Sequence, residues 1–168
     1  MADVNYALSA LGATATANNP VSGHGAELSI DGSDATYAGS SGGSVSRPYI
    51  RVDLGAPQFI TSVSALMSSA LGLERHSVQA SSDDVNWDTI ADEYDPVDGV
   101  NTKQTGGVTY RYWSLYGYSA GSTHKLYVYT FSVTGPSEEP PNPTVPLCDE
   151  ITAWLDALEA NFVPCVED

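Results

Sequence analysis

The sequence predicts an all-β fold, a sandwich or barrel of short strands, followed by one short C-terminal α-helix. Three observations carry this prediction. Before residue 148, apolar residues recur with period two and almost never with helical spacing, which is the pattern of half-buried strands. Turn residues punctuate the runs at Asp31-Gly32, Gly55 with Pro57, Asp98-Gly99, Gly106-Gly107 and Gly121. Near the C-terminus the period changes to helical spacing, after a proline-rich break.

Taken in order, the clearest strand is "YIRVDLG", with Ile50, Val52 and Leu54 on one face and Arg51 and Asp53 on the other. In "YRYWSLYGY", Trp113 and Leu115 alternate with Tyr112, Ser114 and Tyr116. In "LYVYTFSVTG", Tyr129, Phe131 and Val133 alternate with Val128, Thr130 and Ser132. Many short strands with frequent turns read as a sandwich or barrel over residues 1–135. Residues 136–147, "PSEEPPNPTVPL", hold five of the ten prolines. Proline lacks an N–H and holds φ near -65°, so this segment is an extended spacer. In the tail, residues 148–168, the apolar residues Ile151, Trp154, Leu155, Leu158 and Phe162 follow helical spacing. Asp149 and Glu150 suit the positive end of that helix, and Pro164 stops it. So short a helix is marginal alone in water. Its apolar face needs a partner, either its own sandwich or another subunit.

Charge narrows the partners. The net charge is -15, which disfavours nucleic acid and anionic membranes, since both are held by Lys and Arg. Eight of the 21 acids lie in residues 136–168 with no Lys or Arg. No run reaches the roughly 20 apolar residues of a membrane helix, and the N-terminus lacks the pattern of a signal peptide. Both cysteines, Cys148 and Cys165, lie in the tail. A straight helix between them rises about 1.5 Å per residue and holds them beyond disulfide range. They are free thiols, or pair between subunits, or bridge only if the chain doubles back after Pro164.

The body resembles the discoidin domains, the coagulation factor five/eight type C family of galactose-binding-like modules. The matching segments run in order. "NYALSALGATATA" (5–17) is similar to the opening strand. "AELSIDGSDATY" (26–37) is similar to the Asp-Gly-x-x-x-Thr-Trp loop, with Tyr37 in place of Trp. "YIRVDLGAPQFITSVSAL" (49–66) resembles the paired V-D-L-G and I-x-x-V strands. "SVQASSDDVNWDTIAD" (77–92) resembles the S-x-D-G-x-x-W hairpin, with Asp84 in place of Gly. "YRYWSLYG" (110–117) and "LYVYTFSVTG" (126–135) resemble the last two major strands. The resemblance implies a jelly-roll β-sandwich with ligand loops at one end and no catalytic activity.

It also implies sites. In relatives the Asp-Gly loop holds a structural Ca²⁺, which here assigns Asp31, Asp34 and Thr36 as ligands. The last strand, which supplies an acid in relatives, offers Thr130 and Ser132 here. The usual sugar-binding His is replaced by "AGSSGG", and the Arg-bearing loop by "MSSALGLER". A glycan site would draw instead on His24, Arg75, His76, Tyr116, Tyr118 and His124. Sugars need this mix, because their apolar ring faces stack on aromatics while their hydroxyls require directed hydrogen bonds. No His-Glu-x-x-His zinc pattern and no G-x-S-x-G elbow occurs. The sequence therefore points to a non-catalytic structural or display protein of a larger assembly, a bacteriophage virion component such as a capsid decoration or tail protein. Its partners would be other structural subunits or its own copies. The alternative is a secreted or cell-surface carbohydrate-binding module recognising host glycans.

Overall fold

The structure, a computed structural model, describes residues 3–41, 47–68, 75–94, 99–118 and 125–137. The chain divides into a compact unit, Met1–Ser137, and a second unit, Glu138–Asp168. The expected tail helix and its assembly residues Ile151, Trp154, Leu155, Leu158 and Phe162 lie outside the described residues.

Eight strands build the first unit. They are β1 (Asp3–Asn5), β2 (Thr14–Ala17), β3 (Ala38–Ser41), β4 (Tyr49–Ser68), β5 (Arg75–Ser81), β6 (Asp88–Tyr94), β7 (Gly99–Tyr118) and β8 (Lys125–Pro136). All named pairs are antiparallel. The two longest strands each serve both layers of the sandwich. The first part of β4 pairs with β2 and with the end of β7, and β5 and β6 extend that layer. The second part of β4 pairs with β8 and the start of β7, and β1 and β3 line the far side of β8.

The turns expected at Gly55 with Pro57 and at Gly106-Gly107 are instead irregularities inside these continuous strands. Ladder pairing between β4 and β7 lapses between Asp53 and Gln58, across a proline that has no N–H to donate. Gly55 there takes φ +80. Further along, Ile60 pairs with Val108 and Ser62 with Gln104. Thr105, Gly106 and Gly107 thus oppose a single residue, Thr61, with φ +76 and +82 at the two glycines. Left-handed φ is open to glycine at no steric cost, so the glycine pair makes a bulge that bends the strand.

The core lies between the layers. Ile50, Val52, Val78, Ala80, Trp113 and Leu115 come from one layer, and Ile60, Val63, Ala65, Met67, Leu126, Val128, Phe131 and Val133 from the other. In the last strand the expected alternation slips. Val128 and Phe131 are both fully buried, and Tyr129 between them faces outward with Thr130. The cause is a bulge, because Leu66 pairs with Thr130 but Met67 with Val128, leaving Tyr129 unmatched.

Strand ends gather at one pole. Ser41 pairs with Lys125, Ser68 with Tyr127, Met67 with Gly99, and Arg75 with both Tyr94 and Tyr118. Each of these ends bounds a connection from one layer to the other. β8 then runs from this pole to the opposite one, where Asp3 pairs with Pro136.

Candidate functional site

Two aromatic groups flank the loop pole, one on the outer face of each layer. The first is built around Gly39 of β3. The Gly39 N–H donates to the His24 carbonyl at 2.9 Å, and the Val21 N–H donates to the Gly39 carbonyl at 2.9 Å. These bonds bring the 21–24 turn onto the sheet edge. A Cβ at Gly39 would sit 2.9 Å from the Val21 side chain and 3.2 Å from the Tyr127 ring, so the close approach needs glycine. The turn delivers His24 onto Tyr37, the rings stacking at 3.9 Å and 13°, with His24 Nε2 and the Tyr37 hydroxyl 2.9 Å apart. Tyr127 meets Tyr37 edge-on at 5.2 Å, and Tyr129 lies at 5.5 Å.

The second group is on β4 and β7. Tyr49 and Tyr116 pair across the ladder with ring centroids 5.4 Å apart. Beside them the Arg51 guanidinium lies between the rings of Tyr49, at 4.3 Å, and Trp87, at 4.5 Å. Its Nη1 meets Asp84 Oδ1 at 3.1 Å. Asp84 holds a left-handed φ of +60, so a non-glycine residue occupies the hairpin position where the resemblance expects glycine. Asp83 organises the same hairpin, accepting from the Val85 and Asn86 N–H groups at 2.9 and 2.8 Å. The Asn86 and Val85 N–H bonds hold its carboxyl far below the usual range.

The expected ligand residues do not all come together. His24 and Tyr116 belong to these aromatic groups. Arg75 and Tyr118 are cross-strand partners at the pole by backbone register, and His124 lies outside the described residues. His76, also expected to bind glycan, is a buried residue. It is 2% exposed, because it is in phase with Val78 and Ala80 on the inward face of β5, opposite Gly117, Leu115 and Trp113 of β7. The residues that sequence reasoning missed are Tyr37, Tyr127 and Tyr49. Tyr127 appeared within a strand whose phase was read without its bulge.

The Asp-Gly loop is closed by its own donors. Asp31 Oδ1 accepts the Ser33 N–H at 2.8 Å, and Oδ2 accepts the Thr36 hydroxyl at 2.6 Å. Asp34 Oδ1 accepts the Thr130 hydroxyl of β8 at 2.5 Å. Ca²⁺ takes six to eight oxygens, rich in carboxylate. Among the described residues no group of three or more His, Cys, Asp or Glu is placed to hold a metal. Two carboxylates already engaged by hydroxyl and amide protons do not make a fitting calcium cage.

The fold and its pole define a galactose-binding-like jelly-roll module. The chain belongs to the F5/F8 type C family, whose model, described as a NedA-like, galactose-binding domain, matches residues 28–115. Among solved structures, it is similar to chitosan-binding module 1 of a chitosanase/glucanase from Paenibacillus sp. IK-5, at 27% identity and TM-score 0.68, over 79% of this chain and 99% of that one. Module 2 of the same enzyme, in complex with chitotriose, matches at 22% identity and TM-score 0.68, over 78% and 100%. The family 32 carbohydrate-binding module of NanJ from C. perfringens, in complex with galactose, matches at 15% and TM-score 0.67, over 80% and 100%. The last two likenesses bear on fold alone. No curated protein matches the chain at significance.

Proposed function

We propose that this module is a non-catalytic carbohydrate-binding domain that takes glycan at the loop pole. One observation carries the reading: strand ends of both layers gather at a single pole, flanked by His24 with Tyr37 and Tyr127 on one side and Tyr49 with Tyr116 on the other. Rings of this kind stack on the apolar faces of sugars, while the Tyr hydroxyls and imidazole serve sugar hydroxyls. The similar chitosan-binding module 1 from Paenibacillus sp. IK-5 supports it. The net charge of -15 favours neutral or amino sugars over anionic ones. A glycan array, followed by calorimetry with chitotriose and galactose, tests this. Binding is expected, and Tyr37→Ala or Tyr116→Ala should weaken it about tenfold, in line with the ~0.5–1.5 kcal/mol of an aromatic contact plus its lost buried area. An array with no hits from a folded sample would remove the reading.

A second reading places the module as the displayed head of a bacteriophage virion component, a capsid decoration or tail protein. What favours it is that the proline-rich segment leaves from Pro136, the pole opposite the loops. Glycan binding and display are compatible, with the module working at a virion surface or outside a cell.

A further inference from the structure

We propose that the 31–36 loop is fastened to the last strand by hydroxyl groups in place of a divalent cation, so that the module sets its loops without calcium. Two threonines do the fastening. Thr36, inside the loop, donates to Asp31 Oδ2 at 2.6 Å. Thr130, on β8 and 96 residues along the chain, donates to Asp34 Oδ1 at 2.5 Å. The first bond fixes the shape of the loop, and the second ties it to the sheet. The Ser33 N–H satisfies the other Asp31 oxygen at 2.8 Å, and the Ala35 N–H is taken up by the Ser33 hydroxyl at 3.2 Å.

The chemistry of Thr130 decides the matter. A hydroxyl brings a proton to a carboxylate, whereas a second carboxylate brings like charge that only a cation can neutralise. With Thr130 facing it, Asp34 has a donor and needs no metal. The bulge at Tyr129 makes this meeting possible. It turns Tyr129 outward toward Tyr37, and Thr130 follows on the same outer side. The loop is therefore anchored twice along the outer side of β8, by rings at 129 and by a hydrogen bond at 130.

The test is the melting temperature of the full chain in EDTA and in millimolar Ca²⁺. A ligand of the native state raises stability by mass action, so the wild-type protein should melt within about 1 °C in the two media, and Thr130→Val should melt about 3 °C lower in both. Thr130→Asp, which sets a third carboxylate opposite Asp34, should be destabilised in EDTA and recover in Ca²⁺. A wild-type melting point that climbs by several degrees with Ca²⁺ would overturn the proposal. So would a Thr130→Val protein that melts like the wild type, or a Thr130→Asp protein indifferent to Ca²⁺.

Discussion

His76 is a buried, titratable side chain, and its place yields a prediction. It follows Arg75 at the start of β5 and, in sequence, looks like a loop-end histidine. It is in phase with Val78 and Ala80, so it faces the core between the layers. Burial pushes its pKa below the ordinary 6.5, and the positive charge of Lys103 adds to the shift. The unfolded chain takes up a proton near pH 6.5 that the folded chain resists. Its contribution to stability is therefore full above pH 6.5 and declines as pH falls below it. Thermal melts should come lower at pH 5.5 than at pH 7.5, and His76→Gln should flatten that difference. An equal slope in the variant would assign the pH dependence elsewhere. Asp84 teaches the complementary lesson. Its departure from glycine was visible in sequence, but only the structure shows the left-handed backbone and the Arg51 contact beside it.

At the scale of elements, regular alternation was readable and its interruptions were not. Ile50, Val52 and Leu54 turn inward as their spacing predicts, as do Trp113 and Leu115. Ile50, Val52, Trp113 and Leu115 stay on an uninterrupted ladder, which lapses only past Asp53. Bulges depend on the register of a partner strand far away in sequence, so simple alternation sets Tyr129 in phase with Phe131 and the glycine pair reads as a turn. The glycine bulge can be tested directly. A Cβ at Gly107 would sit 2.6 Å from the Phe59 ring, on a backbone at φ +82. Phe59 is half exposed and can yield, so the backbone penalty dominates, about 1–2 kcal/mol. Gly107→Ala should lower the urea midpoint accordingly, and an unchanged midpoint would mean that the bulge relaxes freely. The aromatic groups of the pole were half legible for a similar reason. His24 and Tyr116 stood near recognisable turns, whereas Tyr37 and Tyr127 meet only through the pairing of β3 with β8.

For the whole molecule, the first unit ends at Ser137, and among the described residues it has a core of its own. A fragment of residues 1–137 should melt in one transition close to that of the full chain and sediment as a monomer. The full chain should sediment as a multimer, because the apolar residues of the tail need a partner. A full chain that remains monomeric would rule out self-association through the tail. The direction of β8 has a mechanical consequence as well. Its twelve residues span roughly 35 Å at about 3.3 Å each, from the loop pole to the exit at Pro136. Tension between a ligand held at the loops and a tether at residue 136 pulls along this strand, so its bonds to β4 are sheared together. Pulling Asp3 away from Pro136 instead opens the β1 ladder one pair at a time. The same sandwich is thus stiff against a load between its poles and yielding to one applied across its two chain ends.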